Sequence, residues 1–350
     1  MAMDQEFLNQ ALELARSRKG YTFPNPAVGA VLVKNGIVTG QGFHWGAGAP
    51  HAEVEALKNI GMEAEGATLY VTLEPCCHYG KTPPCTELLK SKKIERVVYG
   101  FCDPNPVVFG KGARILEAAG IKVELLGLES ISLFYRSYAW WVKTKKTWMT
   151  GKIALSQDGK VSLASGKPVK ITGALADDYT HLRRSEADVI VTSVATLKAD
   201  NPRLDARVSI PPKTKPVWVL DRDLEFSSDF QILKTAASVH LVHGKTGKGS
   251  LGLDCIELPE KDKKLVLESL PLELGMRGYH EAWVEVGPTL FSAFMREQIF
   301  QEVVLYQSSS IEIIHGKEAF LGARDSVFQG YRKVAQEKMG TDLRESWFLK

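Results

Sequence analysis

Three potential metal ligands and one acid stand out in this sequence because together they could carry out hydrolysis. His51 lies two residues before Glu53, and Cys76 and Cys85 follow later, each directly after a proline. One imidazole and two thiolates can hold a zinc ion whose fourth tetrahedral position stays open to water. A nearby carboxylate that is not a ligand can then carry protons. The combination indicates a hydrolytic centre.

A structural zinc site is the alternative interpretation, because Cys77 or His78 could supply a fourth protein ligand. Glu53 argues against it, since an acid at this position serves proton transfer but is not needed as a ligand. We expect Cys77 and His78 to be neutral neighbours of the ligands. Glu74, at the end of an expected strand, is interpreted as a hydrogen-bond anchor.

The order His-x-Glu followed by Pro-Cys is typical of the zinc deaminases, which act on an amino-bearing carbon of a nucleobase-like ring. The motif therefore predicts the release of ammonia. Many such enzymes carry a compact Cys-x-x-Cys, whereas here eight residues separate Cys76 from Cys85. The motif alone does not identify the ring that is deaminated.

The N-terminal part of the chain alternates between helical and strand patterns, which predicts a three-layer α/β sandwich. Helices are expected at 7–15, 52–60, 86–91 and 113–119, and strands at 28–33, 37–43, 68–73, 96–100 and 122–126. Asn35-Gly36 predicts a tight hairpin between the first two strands, with His44 on its exposed end. Both halves of the metal motif fall at strand-to-helix turns, where helix N-termini favour thiolates.

A second α/β unit follows a bridging helix at 129–143 and a polar stretch at 143–147. Its strands are expected at 148–155, 189–192, 217–220, 239–242 and 283–286, and its helices at 174–186 and 290–297. A chain of 350 residues favours two domains. We place them at 1–147 and 148–350.

The composition argues against polymer or membrane partners. The net charge is +3, from 44 basic and 41 acidic residues, and neither a long basic block nor a long apolar run is present. The polar N-terminus does not resemble a signal peptide. Three of the five cysteines lie between positions 76 and 85, which fits metal binding in a reducing compartment. We expect a cytoplasmic protein that binds neither nucleic acid nor membrane.

Several segments resemble the bifunctional deaminase–reductase family of riboflavin biosynthesis, namely residues 24–29, 51–54, 66–76, 80–85 and 103–106. The resemblance implies a cytidine-deaminase-like three-layer αβα domain. It also implies that this domain removes the 2-amino group of 2,5-diamino-6-ribosylamino-4(3H)-pyrimidinone 5′-phosphate. By the same resemblance His51, Cys76 and Cys85 hold zinc, Glu53 moves the proton, Asn25 lies against the pyrimidine, and Lys81 and Thr82 lie near the phosphate.

The second half resembles the reductase half of the same family at residues 152–160, 187–193, 195–204 and 283–290. This implies a dihydrofolate-reductase-like α/β domain that uses NADPH to reduce the ribosyl group to ribityl. The implied cofactor-binding residues are Ala154, Thr196, Asp200, Gly287, Pro288 and Thr289, and the implied substrate-binding residues are Arg184, Leu204, Arg207 and Glu285. Arg184 lies in a charged helix, so a solvated role is its alternative. The family also implies a homo-oligomer.

Three departures from the family pattern leave a second hypothesis open. Pro168 and Lys170 stand where a serine and a tryptophan are usual, and 307–310 replaces an Ala-Pro-Lys-Leu type of segment. The alternative is a deaminase whose C-terminal reductase-like domain has lost or altered its activity. A nucleic-acid-editing protein is a third possibility, and the near-neutral charge argues against it.

Overall fold

A computed structural model describes residues 2–58, 60, 64–80, 83–167, 169–209, 212–244 and 252–350. The chain divides into two compact units, Met1–Lys145 and Lys146–Lys350. The sequence placed the break near residue 147, inside the polar segment that begins the second unit. Because a polar linker has no packing pattern, the sequence locates such a boundary only within a few residues.

Ten elements form the described part of the first unit. Its strands are β1 (Gly29–Lys34), β2 (Ile37–Phe43), β3 (Thr68–Val71), β4 (Arg96–Tyr99) and β5 (Lys122–Leu125), and its helices are α1 (Ala2–Arg16), α2 (Ala52–Ala56), α3 (Cys85–Ser91), α4 (Lys111–Ala118) and α5 (Glu129–Thr144). The strands form one five-stranded sheet in the order β2-β1-β3-β4-β5. β1 is antiparallel to β2 and β3, whereas β3, β4 and β5 are parallel.

The apolar side chains of β1 point alternately to the two faces of this sheet and contribute to the core on both sides. Ala30 and Leu32 pack into the cluster that includes residues of α2, α3 and α4, and Val31 and Val33 pack into the cluster with α1 and α5. Successive strand residues point to opposite faces, so a continuous apolar run indicates a sheet covered on both sides. This confirms the three-layer α/β sandwich expected from the sequence.

The β1–β2 hairpin brings helix α2 against the sheet. Asn35 and Gly36 both have positive φ, 53° and 77°, as a tight two-residue turn requires. On β2, a Cβ atom added to Gly42 would lie 2.4 Å from the carbonyl oxygen of Ala52. The absence of a side chain at Gly42 therefore lets the start of α2 lie directly on the strand.

The second unit contains more strands than the sequence patterns indicated. Its strands are β6 (Trp148–Leu155), β7 (Lys160–Ser162), β8 (Val189–Ser193), β9 (Pro216–Leu220), β10 (Ser238–His243), β11 (Asp254–Glu257), β12 (Glu260–Lys261), β13 (Lys264–Leu265), β14 (Glu281–Val284), β15 (Glu302–Ser308), β16 (Lys317–Glu318), β17 (Tyr331–Met339) and β18 (Asp342–Leu349). Its helices are α6 (Ala174–Glu186), α7 (Val194–Asp200), α8 (Ile232–Thr235), α9 (Leu270–Met276), α10 (Pro288–Arg296) and α11 (Arg324–Val327), with a 3₁₀ turn at Leu267–Ser269.

A nine-stranded sheet in the order β11-β10-β9-β8-β14-β6-β15-β18-β17 forms the centre of this unit. The strands from β11 to β15 are parallel, and β18 and β17 continue the sheet as an antiparallel hairpin. The carboxyl ends of parallel strands meet at one edge of a sheet, where ligands commonly bind. Within the described residues, the helices are too short or too polar to cross a lipid bilayer.

The strand expected at 283–286 is in fact Glu281–Val284, so that prediction was wrong by two residues. Glu285 therefore follows the strand instead of lying within it, and its amide donates to the carbonyl of Val191. The C-terminal β17 was not predicted because most of its side chains are exposed. Its pairing with β18 forms the strand without an apolar alternation.

A buried ion-pair cluster ties α6 to the sheet of the second unit. The Arg183 guanidinium donates to Glu281 at 2.8 Å and to Glu302 at 3.2 Å, and these side chains are only 7% and 3% exposed. Two buried carboxylates are stable only while a cation compensates them.

We expect Arg183→Met to destabilise the second unit by about 3–5 kcal/mol, because it leaves two buried carboxylates without this cation. Denaturant unfolding of the full chain measures the change. Arg296→Met is the matched control, because this exposed guanidinium lies 3.5 Å from Glu297 and should contribute less than about 1 kcal/mol. Equal effects of the two substitutions would contradict a structural role for the Arg183 cluster.

Candidate functional site

The first candidate site is assembled from three segments of the first unit that end or begin at secondary-structure elements. His51 is the N-cap residue of α2, and Cys85 is the first residue of α3. Cys76 lies in the loop that leaves β3, and its carbonyl accepts a hydrogen bond from the Thr86 amide. Helix N-termini carry positive partial charge, which stabilises thiolates placed there.

The three predicted ligands converge on one point. The Nδ1 atom of His51 lies 3.4 Å from the Cys76 sulfur and 3.3 Å from the Cys85 sulfur. All three potential ligand atoms lie within 4.8 Å of one another. One imidazole nitrogen and two sulfurs at this spacing fit the donor set of a zinc site. Among the described residues, this group contains three ligands and therefore leaves a tetrahedral position for another molecule.

The electrostatics of the site also favour a metal cation. A hydrogen bond from the Cys85 thiol is the main cause that lowers the pKa of Cys76, to about 4. The same bond, together with burial, raises the pKa of Cys85 well above its ordinary value. The bond to Cys76 in turn raises the pKa of His51. A cation replaces these shared protons and allows both sulfurs to be thiolates.

Glu53 lies in the first turn of α2 and is 4% exposed. Burial raises the pKa of its carboxyl group, and the nearby Cys76 raises it further. A carboxyl group with a raised pKa can both hold and release a proton near neutral pH. Its place beside the three ligands, and not among them, is what proton transfer requires.

Glu74 anchors helix α4 to the loop that carries Cys76. Its two carboxylate oxygens accept hydrogen bonds from the amides of Gly110, at 3.0 Å, and Ala113, at 3.3 Å. A Cβ atom on Gly112 would lie 2.1 Å from the Pro75 carbonyl oxygen, so the helix packs directly on this loop. The interpretation of Glu74 as a hydrogen-bond anchor is confirmed.

His44 was expected on the exposed end of the hairpin, and this was wrong because the residue is only 3% exposed. Its Nδ1 lies 3.0 Å from the carbonyl oxygen of Pro50, and its Nε2 lies 3.0 Å from Nδ2 of Asn25. A carbonyl only accepts, so Nδ1 carries the proton and the Asn25 amide donates to Nε2. The ring centroids of His44 and His51 are 5.4 Å apart. The structure therefore brings Asn25 to the metal ligands, whereas Lys81 and Thr82 lie outside the described residues.

The second candidate site is a cavity of about 940 Å³ in the second unit. All six residues that the resemblance implied for cofactor binding line it: Ala154, Thr196, Asp200, Gly287, Pro288 and Thr289. They come from β6, from α7 after β8, and from the junction between β14 and α10. These are carboxyl ends of parallel strands, and the cavity has the size of a small-molecule site.

Glu285 lies on the wall of this cavity as a paired carboxylate. Arg184 donates to its two oxygens at 2.6 and 2.9 Å, and the indole of Trp283 donates at 2.9 Å. Burial opposes the charge, but Arg184 and Lys152 outweigh it and lower the pKa of Glu285 to about 2. Arg184 is thus held in a buried ion pair, and the solvated role considered for it was wrong.

The two remaining implied substrate residues occupy different surroundings. Leu204 is 2% exposed and packs in an apolar cluster with residues of β9 and β10. Arg207 is half exposed and pairs with Asp205 at 2.6 Å. Neither lines the described wall of the cavity.

Lys152 is a functional candidate that the sequence reasoning did not single out. It lies on β6, lines the cavity, and is within electrostatic reach of Glu285 and Asp200. Burial lowers the pKa of its ammonium group against the effect of these acids. The available signal was a lysine inside an otherwise buried strand, because a buried cation needs an acidic partner or a ligand.

Two family models cover most of the chain. The zinc-binding region of cytidine and deoxycytidylate deaminases matches residues 1–101, and the RibD C-terminal domain matches residues 147–335. The two matches define a protein that joins a zinc-dependent deaminase to a reductase.

Curated relatives and solved structures identify the family. The chain is 36% identical over 351 residues to the riboflavin biosynthesis protein RibD of Aquifex aeolicus, with 97% of each chain covered. It is 35% identical over 320 residues to RibD of Escherichia coli, with 87% of each covered. The solved structure of Acinetobacter baumannii RibD matches at a TM-score of 0.85 and 31% identity, covering 100% of this chain and 99% of that one. The chain belongs to the RibD family, the bifunctional deaminase–reductases of riboflavin biosynthesis.

A second solved structure carries both activities in its name. It is the diaminohydroxyphosphoribosylaminopyrimidine deaminase/5-amino-6-(5-phosphoribosylamino)uracil reductase of Thermotoga maritima, with a TM-score of 0.88 and 30% identity, covering 100% of this chain and 99% of that one. Both domains of this chain match, which supports the bifunctional hypothesis over a deaminase alone.

One of the departures from the family pattern lies on the wall of the cavity. Lys170 lines the cavity and pairs with Asp177 at 2.9 Å. The Gln307 side chain donates to the carbonyl of Ser156 on the loop after β6. Pro168 lies outside the described residues. Lys170 and Gln307, which depart from the family pattern, thus each make a polar contact of their own within the second unit.

We expect Cys76→Ser to lose zinc and Cys77→Ser to retain it, although the two cysteines are adjacent. The Cys76 sulfur contacts His51, whereas the Cys77 thiol donates to the Val107 carbonyl at 3.8 Å. Metal analysis of the purified proteins after dialysis measures the difference. Retention of zinc by Cys76→Ser, or its loss from Cys77→Ser, would assign the ligands differently.

Proposed function

We propose that the first unit deaminates 2,5-diamino-6-ribosylamino-4(3H)-pyrimidinone 5′-phosphate to 5-amino-6-(5-phosphoribosylamino)uracil. The main support is the buried Glu53 carboxyl group beside the converging His51, Cys76 and Cys85. Zinc, when held by these three residues, lowers the pKa of water and supplies a nucleophile. Water adds its oxygen to the ring carbon, and the amino group leaves as ammonia.

In this proposal Glu53 transfers the protons of the reaction. Its carboxylate accepts a proton from the attacking water and delivers protons to the ring nitrogen and to the departing amine. Burial keeps bulk water away from the carboxyl group and makes the protonated form accessible. Asn25 binds the pyrimidine edge, and its amide orientation is fixed because its nitrogen donates to His44. Its oxygen is then the atom available to accept from the ring. In this proposal Lys81 and Thr82 lie near the substrate phosphate.

We propose that the second unit then reduces the ribosyl group to ribityl with NADPH. The cavity volume, the six lining residues and the open space beside Gly287 fit a dinucleotide. NADPH, when bound, supplies a hydride to the sugar carbon. The backbone N–H groups of Gly287 and Thr289 lie at the start of α10, which favours a phosphate group, and Pro288 stands at the first position of the helix.

The charged groups of the cavity orient the substrate in this proposal. Glu285 keeps a negative charge at every physiological pH because its pKa is about 2. It therefore accepts hydrogen bonds from a substrate hydroxyl or amine and does not donate a proton. Lys152 is a nearby group whose lowered pKa makes its ammonium a better proton donor to the opening sugar ring. Arg184, Leu204 and Arg207 remain proposed substrate residues, with Arg184 acting through Glu285.

The domain assignment is 1–147 for deamination and 148–350 for reduction. A homo-oligomer in the cytoplasm remains part of the proposal, supported by the family resemblance. The substrate is a small phosphorylated pyrimidine, and the nearly balanced charge of the chain gives no support to a nucleic acid.

An assay with the diaminopyrimidine phosphate, with and without NADPH, tests both activities. We expect ammonia release in both samples and NADPH oxidation only after ammonia release. Glu53→Gln should retain zinc and lower ammonia release by at least about 100-fold, while the same protein still oxidises NADPH when given the deaminated product. Ammonia release without NADPH oxidation by the unaltered chain would support the deaminase-only alternative.

Glu285→Gln should impair reduction and leave deamination unchanged. The substitution keeps the shape but removes the charge that compensates Arg184 and Lys152. We expect kcat/KM for NADPH oxidation to fall by about 100-fold or more. Glu297→Gln is the control, because this acid also lines the cavity but is 28% exposed and pairs with the exposed Arg296 at 3.5 Å. A similar small effect of both substitutions would remove Glu285 from the proposed mechanism.

A further inference from the structure

Helix α5 carries two buried tyrosines whose hydroxyl groups point to the loops around the metal-ligand cluster. Tyr135 is 1% exposed and Tyr138 is 7% exposed. They are three residues apart and therefore lie on the same face of the helix. The zinc-binding region matched by the family model ends at residue 101, so α5 lies beyond it.

Tyr135 closes a ring of hydrogen bonds that begins and ends near Asn25. Its hydroxyl donates to the carbonyl of Ala27 at 2.8 Å. Because that bond uses its only proton, the 2.6 Å contact with Thr72 must be a bond that Thr72 donates. The Thr72 oxygen in turn accepts from the Gly29 amide at 3.1 Å. The ring therefore joins both ends of the Ala27–Gly29 segment to one tyrosine.

Thr72 connects this ring to the metal-binding loop. It directly follows β3 and precedes the Glu74-Pro75-Cys76 segment. Its side chain is completely buried, so no water can replace a lost partner without moving the backbone. This ring of hydrogen bonds thus fixes the loop that carries Asn25 and the start of the metal-binding loop relative to each other.

Tyr138 holds a second loop of the site. Its hydroxyl donates to Asp103 at 3.0 Å, and the amide of Asn105 donates to the same oxygen at 2.9 Å. This loop continues to Val107, whose carbonyl accepts from the Cys77 thiol. The second tyrosine therefore fixes the loop that lies against the residue next to Cys76.

The Tyr135 hydroxyl group also lies within electrostatic reach of Glu53, the acid proposed for proton transfer. Burial raises the pKa of Tyr135, and the charges of Asp103 and Glu53 raise it further. Both acids are therefore within electrostatic reach of the phenol, whose raised pKa keeps it protonated at neutral pH. No part of the deamination as proposed above uses either tyrosine.

We propose that Tyr135 and Tyr138 are positioning residues for deamination, which they support by holding the Asn25 loop and the Asp103–Asn105 loop against the metal-binding loop. The inference rests on the proposed deamination. Tyr135 acts through the Ala27 carbonyl and Tyr138 through the Asp103 carboxylate, so each hydroxyl supports the site by holding a loop. A displacement of a site loop by about 1 Å is enough to lower a rate by about 100-fold.

Hydroxyl-deletion variants test this proposal because phenylalanine keeps the aromatic packing. Tyr135 contacts the rings of Phe101 and Phe134 at centroid distances of 5.4 and 4.9 Å, and a phenyl ring preserves both contacts. We expect Tyr135→Phe and Tyr138→Phe each to lower kcat/KM for ammonia release by about 10- to 100-fold. The zinc content and the NADPH-dependent reduction of the deaminated product should remain those of the unaltered chain.

Tyr70→Phe is the matched control within the same unit. Its hydroxyl donates to Asp4 at 2.7 Å and holds α1, which carries no residue of the site. We expect the two variants to lose similar melting temperature, but only Tyr135→Phe to lose deamination. This result would distinguish a positioning role from a general effect on stability. Deamination by Tyr135→Phe and Tyr138→Phe within about twofold of Tyr70→Phe would overturn the proposal.

Thr72 provides a second route if Tyr135→Phe fails to fold. Thr72→Val has nearly the same shape but breaks the ring, so we expect it to lower deamination as Tyr135→Phe does. Thr72→Ser keeps the hydroxyl and should restore most of the activity. Equal activity of the valine and serine variants would overturn the role of the ring.

Amide hydrogen exchange tests the loop-holding role of the tyrosines independently of the proposed deamination substrate. We expect faster exchange at Gly29 in Tyr135→Phe and Thr72→Val, and faster exchange at Asn105 in Tyr138→Phe, each relative to Tyr70→Phe. Unchanged exchange would show that the hydroxyls hold neither loop and would overturn the inference. Failure of the unaltered chain to release ammonia from the diaminopyrimidine phosphate would instead contradict the proposed function, with exchange still deciding whether the loops are held.

Discussion

The convergence of one imidazole and two thiols beside a buried carboxyl group is the interaction on which the first unit depends. Such groups are costly to remove from water unless each has a partner. His51, Cys76 and Cys85 share protons with one another, which a cation can replace. The surrounding loops are therefore tied by buried hydrogen bonds, such as those made by Glu74 to helix α4. The packing of the sandwich thus holds these polar groups together away from water.

In the second unit, cationic side chains compensate the buried carboxylates. Glu285 is buried on the cavity wall, and Arg184 and Lys152 stabilise its negative charge. The cluster of Arg183 with Glu281 and Glu302 supports the same helix. Adjacent residues 183 and 184 thus serve different carboxylates, because one guanidinium points to the sheet interior and the other to the cavity. Each ion pair holds α6 against the strands whose carboxyl ends form the site.

Much of the first unit followed from local signals. Asn35-Gly36 predicted the hairpin because few residues accept two successive positive φ angles, and the apolar run of β1 predicted a sheet covered on both faces. His44 was misplaced because a histidine after a strand end has no periodic pattern that indicates burial. Lys152 was not singled out, since its importance depends on acids from distant parts of the chain. The β17–β18 hairpin lacked an apolar pattern and formed through strand pairing.

The sequence by itself determined the chemistry of the metal site, because the types and spacing of His51, Glu53, Cys76 and Cys85 suit zinc and proton transfer and few other tasks. It also determined the alternation of helices and strands that defines the first unit and part of that in the second. Only the tertiary structure decided which polar groups face each other. Tyr135 meets Ala27 across more than a hundred residues of sequence, at a separation of 108, and Arg184 meets Glu285 at a separation of 101. Such pairings depend on sheet order and helix packing, and no local pattern in a single sequence encodes them.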